Sequence, residues 1–303
     1  MQRWDAVVIG GGPAGLTGAT YLARFRRRVL LVDAGRSRAM NIPLSHNYPG
    51  FPEGVAGKDL LSAMQRQADR HTVPRVRGEV ESIERTAEGF VIRCEGPPVE
   101  AALVMIATGA TDIWPDLPQA AAALQQGVLR FCPVCDAYEI AGRAVGVLVN
   151  GPAGVREALY LRHFSPDVTV ILCGTEVVLA TEELAQLRQA GVAVAVAPPQ
   201  AFRLEETSIA VEAGARTIKV AALYCALGME VRSGLALALG AARDAQGYLV
   251  VDDHQQTSVP GLYAAGDVAS GLNQISVATG AAAVAASAMH VALNTRGTAT
   301  RRP

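Results

Sequence analysis

Two cysteines with two residues between them, Cys132 and Cys135 in the stretch Phe131-Cys132-Pro133-Val134-Cys135-Asp136, are the residues best placed for chemistry in this 303-residue chain. The spacing lets the two sulfurs close a small ring. A helix beginning at Pro133 would direct its positive end at the Cys132 thiolate and lower its pKa, which is what disulfide exchange requires. A zinc site would need two further ligands at similar spacing, and His163 and Cys173 form no such pattern, so no metal is expected. Two inert buried thiols are the blander alternative, and the adjacent acid speaks against it. The remaining cysteines, Cys94, Cys173 and Cys225, are isolated and do not form an extracellular disulfide framework.

The second candidate site is a glycine-rich turn. In Val7-Val8-Ile9-Gly10-Gly11-Gly12-Pro13-Ala14-Gly15, the glycines at 10, 12 and 15 have G-x-G-x-x-G spacing after an apolar run and before a helix-like segment. Each glycine meets a steric demand, in turn a tight bend, close approach of a pyrophosphate to backbone N–H groups, and close helix-strand packing. The next run, Val29 to Val32, ends at Asp33, roughly 20 residues on, where a carboxylate can accept hydrogen bonds from ribose hydroxyls. Ala107-Thr108-Gly109 closes another run, and Gly261 to Asp267 ends a run and delivers an acid to a helix start.

The elements that must hold these sites alternate. Apolar runs at Ala6 to Ile9, Val29 to Val32, Leu103 to Ile106, Val145 to Val149, Val168 to Leu172, Val220 to Ala226 and Leu262 to Ala264 are separated by helix-like segments, which predicts an α/β fold with largely parallel strands. Glycine-rich turns at Gly10 and near Gly151 place the nucleotide-binding plan twice. The expectation is two Rossmann-like, three-layer ββα dinucleotide-binding domains, the second inserted in the first. Residues 1–114 and 230–303 would form one discontinuous dinucleotide-binding domain, which the family resemblance described below makes the FAD-binding domain, and 115–229 a second, by the same resemblance NAD(P)H-like, carrying the cysteine pair. Trp114-Pro115-Asp116-Leu117-Pro118 suits the outward crossing and Gly228 to Gly234 the return. The polar tail from Asn294 to Pro303 is expected to fray.

Half of the residues are apolar and the formal net charge is −1, so there is no clustered basic face to attract nucleic acid or an anionic membrane. The start, Met1 to Asp5 before a short apolar run, is too acidic and too short for a signal peptide, and the alanine-rich stretch from Ala281 to Ala292 falls short of a bilayer span. A cytoplasmic protein acting on small molecules or proteins is expected.

The chain resembles the low-molecular-weight thioredoxin reductase family over nearly its whole length. The resemblance rests on Ile9 to Gly15, Asn47-Tyr48-Pro49-Gly50-Phe51-Pro52-Glu53-Gly54, Ala107 to Gly109, the C-P-V-C-D stretch, Glu157-Ala158-Leu159-Tyr160-Leu161, and Thr257 to Asp267, in that order. It implies FAD, contacted by Gly10, Gly12, Pro13, Ala14, Gly15, Asp33, Ala34, Asn47, Ala107, Thr108, Gly109, Gly266, Asp267, Gln274 and Ile275. It implies that Cys135 faces the flavin, that Cys132 exchanges with an external disulfide or dithiol, and that Asp136 gives or takes the departing thiol's proton, a role suited to a carboxylate with a pKa raised by partial burial. It also implies a homodimer with a thioredoxin-like protein or a small disulfide as partner.

The second turn departs from the family. Val149 stands at the first glycine position, where a β-branched residue suits a tight turn poorly. Leu172, Cys173 and Gly174 stand where the family places a His-Arg-Arg grip on the 2′-phosphate of NADPH, and no acid ends the strand to bind a free ribose, Glu176 lying beyond it. Arg156 and Arg162 are the nearest substitutes. In the first domain, Arg36-Ser37-Arg38 replaces a Gly-Gly-Gln segment, and Asn273 replaces an Arg. The resulting expectation is an FAD-dependent disulfide reductase with weak or no NADPH use, for which ferredoxin or another donor could serve. The alternatives are an oxygen-dependent dithiol oxidase, although fungal dithiol oxidases carry His where Asp136 stands, and a non-enzymatic redox-sensing flavoprotein.

Overall fold

The computed structural model of the chain describes residues 3–173 and 177–299. The first part runs β1 (Arg3–Ile9), α1 (Pro13–Arg24), β2 (Val29–Asp33), α2 (Gly57–Arg70), β3 (Arg75–Arg77), β4 (Val80–Arg85), β5 (Phe90–Cys94), β6 (Val99–Ile106) and β7 (Ala110–Asp112). The middle runs α3 (Ala120–Gln125), β8 (Leu129–Arg130), α4 (Pro133–Asp136), β9 (Val145–Val149), α5 (Pro152–Leu161), β10 (Val168–Cys173), α6 (Thr181–Gln189), β11 (Ala193–Ala197), β12 (Phe202–Leu204), β13 (Ile209–Ala213), β14 (Arg216–Val220) and β15 (Ala222–Ala226). The chain ends with β16 (Met229–Val231), α7 (Gly234–Leu237), β17 (Leu262–Ala264) and α8 (Ile275–Ala299).

Two sheets carry the two nucleotide-binding plans. The first has the order β3-β2-β1-β6-β5-β4, with β17 pairing β6 at Val104 to Ile106, beyond the Val99 to Ala101 stretch that pairs β5. Its central strands are parallel and buried on both faces, so they read as unbroken apolar runs, whereas β4 and β5 pair antiparallel and alternate. One face packs on α1 and α8 through Leu16, Met105 and Met289; the other meets Phe90, Ile92 and Leu249. Since β17 comes from the end of the chain yet pairs with β6, the last segment completes the first sheet. The second sheet, β11-β10-β9-β15-β8, is wholly parallel, with the antiparallel β12-β13-β14 beside it.

The apolar run from Val220 to Ala226 is two strands rather than the single one expected. Val220 ends the antiparallel β14, and Ala221 turns the chain, its N–H bonded to the carbonyl of Ala144, before β15 begins. Helix α8 is also longer than expected. Ile275–Thr295 is long and apolar enough to cross a bilayer by length and composition, and the helix runs on through Ala299 where fraying was expected; residues 300–303 lie outside those described. One row, Ala278, Ala282, Ala285 and Met289, is packed in the core against α1, while Val277, Val284 and Val291 are exposed.

The chain crosses between the two parts twice, and the two crossings pair. Strand β7 lies antiparallel to β16, with Asp112 opposite Met229 and Ala110 opposite Val231. Arg38 fastens this ribbon to the first sheet. Its guanidinium donates to both oxygens of Asp112, at 2.8 and 2.7 Å, and meets Asp267 at 3.2 Å. The Asp112 side chain is 7% exposed. Burial works to lower the Arg38 pKa, but its two carboxylates outweigh burial and hold it above the ordinary value. Arg232, just past β16, adds bonds to Thr111 Oγ1 at 2.8 Å and to the Arg36 carbonyl at 3.1 Å.

Buried charge sets two expectations for stability. Arg38→Met leaves Asp112 buried without its cation and is expected to cost about 3–5 kcal/mol, read as a lower urea midpoint. In α5, Glu157 is half-buried with no hydrogen-bond partner on Oε2, and burial lifts its pKa to about 7 against the weaker pull of Arg156. A carboxyl raised on folding binds more protons in the native state, so stability falls as pH rises from the unfolded value of about 4.3 toward 7. Glu157→Gln should therefore melt higher than the parent at pH 8, with a gap that closes toward pH 5.

Candidate active site

The glycine-rich turn leaves β1 for α1 under tight steric control. Gly10 has φ +110°, and a Cβ there would lie 2.2 Å from the Ala107 carbonyl oxygen; one on Gly15 would lie 1.8 Å from the Gly10 oxygen. Gly12 differs, since a Cβ there would meet only Ser37 Oγ, at 3.2 Å, and would project where a ligand must approach. No side chain caps α1, whose N-cap is Gly12 with Pro13 behind it, so its first N–H groups are free to hold an anion. Asp33 Oδ1 accepts from the N–H of Gly11 and of Gly35, both at 3.0 Å, which fixes the acid beside the turn.

A cavity of about 750 Å³ runs from this turn to the cysteine pair. Every candidate FAD contact lines it except Gly15, which packs beneath Gly10; Cys132, Cys135 and Asp136 line its far end. These residues fit FAD. The open glycine cradle and uncapped helix would take the pyrophosphate, Asp33 the adenosine ribose and Asp267 the ribityl region, with the sulfurs at the isoalloxazine end.

Cys132 and Cys135 form a disulfide, with Cys132 as the N-cap of α4 and its Sγ accepting from the Cys135 N–H at 3.1 Å. This turn belongs to the second sheet's part of the chain, yet residues of the first part hold it. Gln274 Nε2 lies 3.4 Å from Cys132 Sγ and 3.3 Å from Cys135 Sγ, Asn47 Nδ2 donates to Gln274 Oε1 at 2.9 Å, and Ser45 Oγ donates to Asn47 at 3.1 Å. Trp114 of the outward crossing packs on Phe131, with ring centroids 5.3 Å apart.

Asp136 faces inward. Tyr224 donates its hydroxyl to Oδ1 at 2.7 Å, and Arg130 Nη1 lies 3.2 Å from Oδ2 while also donating to the Asp136 carbonyl at 2.9 Å. Burial raises the Asp136 pKa, Arg130 and Tyr224 draw it back, Glu139 adds to the rise, and the net result is above the ordinary value. Asp267 is likewise raised by burial against the pull of Arg38. Sequence reasoning marked Arg38 only as a departure, and gave no signal for Asp112, Arg130 or Tyr224.

The second turn differs from the first. Val149 is fully buried, and a Cβ on Gly154 would lie 2.5 Å from its Cγ1. Asn150 donates to the Leu227 carbonyl at 3.0 Å. The strand ends in Leu172 and Cys173, while Gly174 and Glu176 lie outside the described residues. Arg162 is committed to the carbonyls of Ala190 and Ser165, at 2.8 and 2.7 Å, and Arg156 is exposed.

Residues 4–282 match the family described as Pyridine nucleotide-disulphide oxidoreductase. The chain is 30% identical over 297 residues to the thioredoxin reductase of Treponema pallidum, covering 94% of this chain and 95% of that one. The structure of thioredoxin reductase from Streptococcus pyogenes superimposes with a TM-score of 0.87 at 26% identity, covering 97% of this chain and 99% of that one. The structure of HlmI superimposes with a TM-score of 0.88 at 31% identity, covering 99% and 96%. With two nucleotide-binding folds, a glycine cradle and a cysteine pair at the end of one cavity, the chain belongs to the pyridine nucleotide-disulphide oxidoreductase family and is a flavin-dependent disulfide oxidoreductase of the thioredoxin reductase-like kind.

Proposed function

We propose that the protein passes electrons between FAD and the Cys132–Cys135 pair, and from the pair to thioredoxin or a similar disulfide, with weak or no use of NADPH. The observation that carries this reading is the junction at Gln274, which seats both sulfurs at the wall of the cavity that begins at the glycine cradle. FAD when bound supplies reversible two-electron storage. The chain's residues do the rest: the α1 N-terminus binds an anion, Gln274 and Asn47 orient the pair, and Asp136, next to Cys135 in sequence, is the acid that holds or releases the proton.

Weak NADPH use follows from charge. A 2′-phosphate at the end of β10 would meet Leu172 and Cys173 instead of a guanidinium fork, and each missing charge-assisted bond is worth about 1.5–3 kcal/mol. A ferredoxin or another flavoprotein fits as donor. One feature favours a second reading, an oxygen-dependent dithiol oxidase: Leu124, Gly127 and Arg130 line the same cavity as the sulfurs and offer a small dithiol a wall to bind against.

Two measurements separate these readings. Mixed anaerobically with NADPH or NADH, the flavin band is expected to bleach slowly with either; rapid bleaching by one of them overturns the claim of weak nicotinamide use. For the oxidase reading, a dithiol should drive oxygen uptake that Cys132→Ser abolishes. Absence of uptake with a panel of dithiols removes that reading and leaves the reductase.

A further inference from the structure

We propose that Tyr224, together with Arg130, is a positioning residue that orients the Asp136 carboxyl for proton exchange with the Cys132–Cys135 pair. The inference rests on the reading that Asp136 is the proton carrier of this site and extends it to groups distant in sequence. Tyr224 is in β15 and Arg130 in β8, strands that lie side by side in the second sheet with Tyr224 directly opposite Arg130 in register. Asp136 ends α4, the short helix that contains Cys135 and is capped by Cys132. The sheet therefore presents two donors to one carboxyl, one to each oxygen.

The two donors are not equivalent. Arg130 is anchored by its Nε to the Gly127 carbonyl at 2.9 Å and can only donate, so it favours the ionised carboxylate. A tyrosine hydroxyl can donate to a carboxylate or accept from a carboxylic acid, and so can keep its bond as the proton comes and goes. Tyr224 is fully buried, and burial beside Asp136 pushes its own ionisation far above the ordinary range, so it holds the acid without becoming a competing base. The charged or titratable groups acting on Asp136 are Arg130 from β8, Tyr224 from β15 and Glu139 from the turn after α4.

The chemistry balances around this carboxyl. In the reducing direction the S–S bond opens, two electrons enter from the flavin, and a departing thiolate takes one proton from Asp136 while the other sulfur equilibrates with solvent. In reverse, the carboxylate accepts a thiol proton as the S–S bond closes and two electrons return to the flavin. In both directions the pH limb of the reaction is set by Asp136. Removing a donor to its carboxylate raises that pKa, so the limb moves to higher pH whichever way electrons flow.

The test is the pH dependence of flavin bleaching when the oxidised holoenzyme is mixed anaerobically with dithiothreitol, a small dithiol that reduces the pair. Tyr224→Phe is expected to move the limb upward by on the order of one pH unit while flavin content and far-ultraviolet circular dichroism stay unchanged. Arg130→Gln is expected to move it in the same direction, which keeps the proposal testable if Tyr224→Phe does not fold. Asp136→Asn should remove the limb, and Tyr224→Phe should then add no further shift. A Tyr224→Phe profile that overlays the parent, while Asp136→Asn loses the limb, overturns the positioning role alone. An Asp136→Asn profile that overlays the parent overturns the proton-carrier reading and the proposal with it.

Discussion

A single side-chain amide, that of Gln274, joins the two halves of the chemistry. The glycine cradle belongs to the first sheet and the sulfurs to the second, so electron transfer requires that one part of the chain press its cysteine turn onto the other. Gln274 reaches both sulfurs, and its own orientation is set by Asn47, which Ser45 holds in turn. Sulfur is a weak acceptor, so no one bond here is strong. Orientation comes from the chain of bonds and from Trp114 packing on Phe131.

Two sets of charges surround that junction, and each solves the same problem of keeping an ionised group in a poorly solvated place. At Arg38 the solution is compensation: one cation lies between Asp112 and Asp267 and ties the cofactor end of the cavity to the crossing ribbon. At Asp136 compensation is incomplete, because Arg130 is shared with backbone carbonyls and Glu139 opposes it. The first arrangement holds the Arg38 cation. The second leaves the Asp136 carboxyl raised above its ordinary value, the direction expected of the proton carrier proposed above.

What the sequence made legible was local. The glycine cradle, the acid ending β2 and the cysteine turn are each encoded within a few dozen residues, because backbone sterics and ring closure depend on spacing alone. Val149 at the second turn was legible as a residue too, and it is fully buried there. The partners of Asp112 and Asp136 were not, since Arg38 is 74 residues from Asp112 and Tyr224 is 88 from Asp136, and only the order of strands brings them together. Two other misreadings concerned boundaries. Ala221 breaks an apolar run that composition could not divide, and the small residues of α8 hid a helix long enough for a bilayer but packed along one row.

The crossing ribbon bears on how much chain can lie between its two strands. Asp112 faces Met229, and Ile113 N–H bonds to the Gly228 carbonyl, so the strands entering and leaving the second sheet's part are neighbours at the point of departure. Everything between them is, for this two-stranded ribbon, an oversized hairpin loop. A turn of a few residues would close the same two strands, so the pairing at the crossing is local and sets no limit on the length of chain that lies between them.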